Sequence, residues 1–259
     1  MKQYKYAFFD IDNTLTDNKT NTIPSKLRDA LDLLEKEGFR LSIATGRSYD
    51  GIPEAVRNYY PWFSYIAYNG QLVYDRKGKV LRELYIPNAS AKEAMRLADQ
   101  TGTTLEIKTS RGIYRYNDLT PAYEKTYRFF NMEPWQKGIY REDDKVIALM
   151  ASRENNESYD DFMKIDHLEV FPTEHNYADI NLKGMSKYEG IRFLKEYYGF
   201  DRYLAFGDSS NDYEMLKNAD ISVAMRDADQ QLKKVCTMVT DGAGDNGIYH
   251  AVLKLFEKQ

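Results

Sequence analysis

Two aspartates one residue apart, in Asp10-Ile11-Asp12-Asn13-Thr14, follow directly on a short apolar run from Tyr6 to Phe9. Carboxylates this close repel each other unless a cation is present, and a hard divalent ion such as Mg2+ is the usual partner beside phosphate. A loop with two solvated aspartates is the plain alternative. Gly207-Asp208-Ser209-Ser210-Asn211-Asp212 repeats the arrangement after a second apolar run, Tyr203 to Phe206. Asn211 or Asp212 would serve as the N-cap of a following helix, but Asp208 stands immediately after the strand. If the two strands are parallel near neighbours, Asp10 and Asp208 converge on one metal. Thr45-Gly46-Arg47 sets a hydroxyl and a glycine amide just ahead of a helical stretch. Helix N-terminal N–H groups and the helix dipole favour an anion there, while simple capping by Thr45 or Ser48 competes. Lys187, in Gly184-Met185-Ser186-Lys187, opens a later helix, from which it either reaches such a site or stays solvated.

The elements that must position these residues follow from periodicity. Tyr6 to Phe9 reads as a buried strand and Ser25 to Glu37 as a helix with Leu27, Ala30, Leu31 and Leu34 on one face and Gly38 ending it. Arg40 to Ala44 and Tyr65 to Tyr68 are further strands, with a helix expected after Ser48. Leu72 to Tyr74 and Val80 to Leu84 flank a hairpin turn. Strand and helix alternate again from Ser186: a helix to about Tyr198, a strand at Tyr203 to Phe206, a helix at Asp212 to Asn218 and a strand at Ile221 to Ala224. A helix near Gln231, a strand near Met238 and a last helix from Ile248 complete the series. Such alternation gives an α/β fold, a doubly wound parallel sheet covered on both faces. Between the two stretches the character changes. Ser90-Ala91-Lys92-Glu93 reads as a capping box. A hairpin turns at Ser110-Arg111-Gly112, and an aromatic-rich helix spans Tyr123 to Phe130. A strand at Val146 to Met150 and a helix near Tyr159 follow. The expected division is core residues 1–84, an inserted α+β domain 85–185, and core residues 186–259.

Composition narrows the function classes. The chain has 259 residues, 36 basic against 40 acidic side chains, and a formal net charge of −4. That balance carries no electrostatic footprint for nucleic acid or an anionic membrane. The lone cysteine, Cys236, excludes an internal disulfide and a Cys-rich zinc site and suits a reducing compartment. No run approaches the ~20 apolar residues of a membrane span, and the apolar stretch near Met1 is too short for a signal peptide, so a cytoplasmic location is expected.

In chain order, Asp-x-Asp-x-Thr, Thr-Gly-Arg, Lys and Gly-Asp-x-x-Asn-Asp resemble the motif set of the haloacid dehalogenase-like (HAD) superfamily, in its phosphatase branch. Tyr68-Asn69-Gly70, Ser186-Lys187 ahead of Gly190-Ile191, and Val223-Ala224-Met225 narrow the resemblance to the Cof-type sugar-phosphatase group, whose large inserted cap is type IIB. The departures are Asn13, where glycine is frequent, and Arg226-Asp227, where glycine and asparagine are common. The resemblance implies an Mg2+-dependent phosphatase acting on a small phosphomonoester. Asp10 would be the nucleophile, forming a phosphoaspartate, and Asp12 the acid and base on the leaving oxygen and the water. The metal would be held by Asp10, the Asp12 main-chain oxygen and Asp208. Thr45, Gly46 and Lys187 would bind the phosphoryl oxygens, with Asn211 on phosphate or a metal-bound water and Asp212 orienting Lys187 or such a water. A closed cap would bury Asp12 and raise its pKa. Tyr114, Tyr116, Tyr123, Tyr127 and Trp135 would line a ring pocket, or form the insert's own core. A phosphomutase using the same phosphoaspartate, and a non-catalytic ligand-binding module, remain as alternatives.

Gly242-Ala243-Gly244-Asp245-Asn246-Gly247 fits a dinucleotide fingerprint, but no ribose-binding acid follows ~20 residues later, so it reads as a loop at the core's edge. His167, His175 and His250 show no metal spacing, and neither a serine or cysteine nucleophile nor a Walker phosphate loop is present.

Overall fold

The structure, a computed structural model, describes residues 5–129, 133–154, 158–173 and 176–256. Phe130 and His175 of the sequence reading lie outside them. The chain divides into two compact units, Met1–Glu83 with Met185–Gln259, and Leu84–Gly184.

The first unit opens with β1 (Lys5–Phe9), α1 (Leu27–Lys36), β2 (Phe39–Ala44), α2 (Glu54–Arg57), β3 (Ser64–Ala67), β4 (Leu72–Asp75) and β5 (Val80–Glu83). The second unit holds α3 (Asn88–Thr101), β6 (Thr104–Thr109), β7 (Gly112–Arg115), α4 (Pro121–Phe129), β8 (Val146–Ser152), β9 (Leu168–Pro172) and β10 (Tyr177–Leu182). The first unit then resumes with α5 (Lys187–Tyr198), β11 (Tyr203–Gly207), α6 (Tyr213–Lys217), β12 (Ile221–Ala224), α7 (Gln230–Val235), β13 (Met238–Val239) and α8 (Gly247–Phe256).

The first unit's sheet runs β13-β12-β11-β1-β2-β3-β4-β5. Pairing is parallel from β13 to β3 and antiparallel through the β4–β5 hairpin. Side chains of a strand alternate between its faces, and in β1 both faces are apolar. Ala7 and Phe9 join a core with Leu27, Leu31 and Leu34 of α1 and Ile248 and Val252 of α8. Tyr6 and Phe8 join a separate core with Ile191 and Leu194 of α5 and Met215 and Leu216 of α6. Helices on both faces are the answer to strands that cannot turn either face to water. The four apolar positions on one face of α1 are the four that bury, each contributing about 1.5–3 kcal/mol for a leucine. Gly38, at φ +86°, then takes the left-handed conformation that ends the helix.

No long helix follows Ser48. Gly51 donates to the Ser48 carbonyl and hydroxyl, at 3.1 and 2.9 Å, closing a turn. Pro53 then disfavours helical backbone at Ile52, so the short α2 begins only at Glu54.

The second unit is an antiparallel sheet, β7-β6-β8-β10-β9, with α3 packed on the face of Leu105, Ile107 and Leu149. Tyr123 and Tyr127 of α4 pack with Met150 on the opposite face. Two local readings change here, and one left open is decided. The Ser90 capping box does not form: α3 starts at Asn88 behind Pro87, without a side-chain cap, and Ser90 is buried inside its first turn. The stretch after Tyr159 makes one turn of 3-10 helix, Phe162–Lys164, rather than an α-helix. Of the two readings of Tyr123 and Tyr127, the insert's own core is the one seen: both are buried and donate their hydroxyls to the buried Glu106 carboxylate. Tyr114 and Tyr116 donate to Asp144 and Asp99, at 3.3 and 3.0 Å, and Trp135 is exposed. The tyrosines satisfy the unit's own carboxylates, as buried polar groups must be satisfied.

Candidate active site

The site begins where β1 and β11 end side by side. Phe9 is in register with Phe206, their rings stacked 4.9 Å apart, and the Asp10 N–H donates to the Phe206 carbonyl at 3.0 Å. Asp10 and Asp208 therefore leave adjacent parallel strands at their carboxyl ends, where open α/β sheets place ligands.

Behind them Asp212 folds back onto the end of β11. One of its oxygens accepts from the Asp208 and Ser209 N–H groups, at 3.0 and 3.1 Å. The other accepts from Lys187 Nζ at 2.7 Å. Gly207 makes the approach possible, since a Cβ there would lie 2.5 Å from Asp212 Cγ. Lys187 is fully buried and donates as well to Asp10 Oδ1 at 2.5 Å.

Lys187 reaches this position because α5 starts unusually close to the turn after β3. Ser186 caps the helix by accepting from the Glu189 N–H at 3.3 Å. Gly70 sits against it at φ +99°, and a Cβ on Gly70 would lie 2.1 Å from the Ser186 carbonyl oxygen. Tyr68 and Asn69 also take positive φ, 47° and 50°, conformations uncommon for side-chain-bearing residues and often found at functional sites. The strained turn is pinned to the phosphate-binding candidate loop: Tyr68 N–H donates to the Arg47 carbonyl at 3.0 Å and Asn69 N–H to the Thr45 carbonyl at 3.1 Å.

Thr45 is buried, and its hydroxyl oxygen accepts from the Arg47 N–H at 3.1 Å, so its own proton is available to an incoming anion. Asn211 does not stand alone: it donates to the Asn69 side chain at 3.2 Å and accepts from Ser209 Oγ at 2.8 Å. Both amides flank Gly46, where a Cβ would lie 3.2 Å from Asn69 Oδ1 and 3.5 Å from Asn211 Nδ2. Asp12 is turned away from the buried cluster. Its carboxylate is held by both forks of Arg47, at 2.9 and 2.7 Å, and is about a third exposed at 36%. Asn13 takes the left-handed conformation at φ 55°, which asparagine tolerates nearly as glycine does; it also hydrogen-bonds the Asp208 carboxylate. Arg226 pairs with Asp245 at 2.5 Å on the surface. The glycine-rich segment at 242–247 forms a short 3-10 turn leading into α8.

Sequence reasoning gave no site role to Arg47 or Asn69, although both stand inside quoted motifs. For Arg47 the available signal was position, next to Gly46; Asn69 meets Gly46 and Asn211 only in the fold, and no sequence pattern pointed to it.

Charge decides what the cluster accepts. Burial pushes the Asp10 carboxyl well above the usual carboxylate range; Lys187 opposes this, and the charges of Asp212 and Asp208 add to it. Burial, and then Asp212, push Asp208 up to about 7. Burial alone would lower the Lys187 ammonium, but Asp10 and Asp212 outweigh it and hold the pKa above its ordinary value. Three carboxylates thus face one ammonium. Oxygens of Asp10, Asp208 and Asp212 lie within 4.8 Å of one another; once all three are ionised the set with Lys187 carries two net negative charges, and its oxygen donors match a divalent Mg2+. The Asp12 side chain is not part of this set.

The family profile of the haloacid dehalogenase-like hydrolases matches residues 7–252. The chain belongs to that family. It is 27% identical to YkrA of Bacillus subtilis, provisionally named a phosphatase, over 97% of each chain. It is 25% identical over 98% of its length to a provisionally named bifunctional phosphatase/peptidyl-prolyl cis-trans isomerase of Streptococcus pyogenes, of which it spans only 54%. Among solved structures, a HAD phosphatase of Bacteroides thetaiotaomicron superposes with a TM-score of 0.88 at 28% identity, covering 98% of this chain and 96% of that one. A HAD subclass IIB sugar phosphatase superposes at 0.82 and 27% identity, covering 98% and 99%. No described helix is long and apolar enough to cross a membrane.

Proposed function

We propose that the chain is an Mg2+-dependent phosphatase of small phosphorylated metabolites, sugar phosphates among them, working through an aspartyl-phosphate on Asp10. Its class is that of the phosphoric monoester hydrolases. The observation that carries the reading is Lys187, fully buried and bridging Asp10 and Asp212 beside Asp208: an ammonium and three carboxylates at two adjacent strand ends have no packing reason to be there.

Asp10 is the nucleophile, since an ionised carboxylate attacks phosphorus without needing a base. Asp10, Asp208 and the Asp12 main-chain oxygen would hold Mg2+, which when bound supplies the positive charge that lets the anionic nucleophile and the phosphate dianion approach. Lys187 stabilises charge on the phosphoryl oxygens, joined by the Thr45 hydroxyl and the Gly46 amide. Asp212, committed to Lys187 and two backbone amides, orients the ammonium. Asn211 and Asn69 together brace the Thr45–Gly46 loop, and the second N–H of Asn211 Nδ2, whose first goes to Asn69, donates to phosphate. Asp12 gives a proton to the leaving oxygen and later takes one from the attacking water, with Arg47 fixing the carboxylate's direction. The IIB sugar phosphatase among the structural neighbours supports a sugar phosphate as substrate.

A panel of sugar phosphates, nucleotides and an aryl phosphate, assayed for phosphate release, tests the reading. Release that stops with EDTA and returns with Mg2+, and that Asp10→Asn abolishes without unfolding the chain, is the expected result. Full turnover by Asp10→Asn would end it.

A further inference from the structure

Four neighbouring parallel strands, in the order β11-β1-β2-β3, end on the same side of the first unit's sheet. Ligands of open α/β sheets sit across such carboxyl ends. Asp208 and Asn211 follow β11, Asp10 follows β1, and Thr45 and Gly46 follow β2. The fourth end carries Asn69, two residues beyond β3. Tyr68, Asn69 and Gly70 take positive φ in succession, 47°, 50° and 99°. Asparagine adopts this conformation at little cost, but glycine does so at less. The backbone alone therefore gives no reason for an amide side chain at position 69.

Among the described residues, that amide has one hydrogen-bond partner. Asn69 Oδ1 accepts from Asn211 Nδ2 at 3.2 Å, and Asn211 Oδ1 accepts from Ser209 Oγ at 2.8 Å. This relay turns the Asn69 oxygen toward Asn211 and leaves both N–H groups of Asn69 Nδ2 without an acceptor among the described residues. The amide lies against the bare Cα of Gly46: Nδ2 is 3.4 Å from the place a Cβ there would take. The Asn69 N–H, donating to the Thr45 carbonyl at 3.1 Å, fixes that approach. Two free N–H groups thus stand beside the residue whose own amide is assigned to phosphate. A phosphoryl group has three strongly accepting oxygens, each open to more than one donor. Lys187, Thr45, Gly46 and Asn211 leave room for another. A hydrogen bond to such a charged acceptor is roughly twice as strong as one between neutral groups.

We propose that Asn69 is a substrate-binding residue as well as a brace, its Nδ2 donating to a phosphoryl oxygen beside the Gly46 amide. The proposal rests on the phosphatase reading and adds to it a direct contact from the β3 end. The two amides act as a pair, joined by one hydrogen bond and each donating one N–H to the phosphate. Two replacements separate binding from bracing. Aspartate at 69 tolerates the left-handed backbone and keeps an oxygen for Asn211 Nδ2, so the brace survives while the donor edge becomes an anion. Glycine keeps the backbone and removes both.

The test is isothermal titration of the full chain, in Mg2+, with inorganic phosphate, for wild type, Asn69→Gly and Asn69→Asp, with the melting temperature of each. The expected result is a Kd raised about tenfold in Asn69→Gly and further in Asn69→Asp, with melting temperatures close to wild type. The excess in Asn69→Asp should persist at about 0.5 M salt, where charge acting from a distance is screened. Asn69→Asp, which keeps the oxygen that Asn211 uses, serves if Asn69→Gly misfolds. A brace alone predicts the reverse order at high salt, with Asn69→Asp near wild type, and that result would overturn the proposal. So would a Kd unchanged in Asn69→Gly. Either result in a wild type that hydrolyses aryl phosphate leaves the phosphatase reading standing. A wild type that neither binds phosphate nor releases it would overturn that reading and this proposal together.

Discussion

The Arg47 guanidinium holds both carboxylate oxygens of Asp12, Nε to Oδ2 at 2.9 Å and Nη2 to Oδ1 at 2.7 Å. A planar fork on a carboxylate fixes direction as well as charge, which a lysine cannot do. Asp12 is thereby held in one direction, while the turn after β3 anchors the Arg47 backbone through the Tyr68 N–H.

Arg47→Lys keeps the charge and loses the fork. It is expected to lower kcat roughly tenfold, a fraction of the 10²–10⁴-fold that a positioned acid or base contributes, with KM and melting temperature little changed. The loss should be larger for a substrate with a poor leaving group than for an aryl phosphate, because only the former needs its oxygen protonated. Equal losses for both substrates would show that Arg47 acts elsewhere.

Lys187 stands between two buried carboxylates, Asp10 and Asp212, at 2.5 and 2.7 Å. Lys187→Met leaves both without their counter-charge, and removal of one partner from a buried ion pair costs about 3–5 kcal/mol. Denaturant midpoints should show that loss, and Asp212→Asn in the same chain should recover part of it. Activity should stay lost in both variants. A neutral effect of Lys187→Met on stability would mean that the two carboxylates are not charged together in the folded chain.

Asp208 is pushed up to about 7 by burial and then by Asp212, and Asp10 is raised in the same direction, with burial the largest cause. A carboxyl with a raised folded pKa binds its proton more tightly folded than unfolded. Its contribution to stability is therefore complete below the unfolded carboxylate range, near ~4, and is lost as pH rises through the folded value. In EDTA the melting temperature should fall by several degrees between about pH 5 and about pH 8. Mg2+ should remove most of that fall by replacing protons, and its apparent affinity should weaken as pH drops below about 7. A metal-free chain that gains stability across this interval would contradict the assignment.

The sequence read well where one physical rule dominated. Asp10 and Asp208 were traceable because each follows an apolar run long enough only for a strand, and parallel strands bring their carboxyl ends together. The buried face of α1 was legible from leucine spacing. Reading failed where neighbours decided. Ser90-x-x-Glu93 has capping-box chemistry, but Pro87 starts the helix earlier and leaves Ser90 inside it. Tyr123 and Tyr127 left a ring pocket and the insert's own core both open, and only the buried Glu106 between them decides for the core. The pairing of Arg47 with Asp12 spans 35 residues and depends on where β1 and β2 end relative to each other, which no local pattern encodes. Gly70 was legible as a motif residue, but its need for a bare Cα came only with the Ser186 carbonyl beside it.

The central claim is that phosphate passes through Asp10. Asp12→Asn with an aryl phosphate isolates it, because the phenolate leaves unaided while the water that clears the enzyme loses its base. Rapid acid quench followed by mass spectrometry of the peptides should find one phosphoryl group, on the peptide containing Asp10, accumulating in that variant and chased by time. A phosphoryl group on another residue, or none while phosphate is still released, would contradict the account.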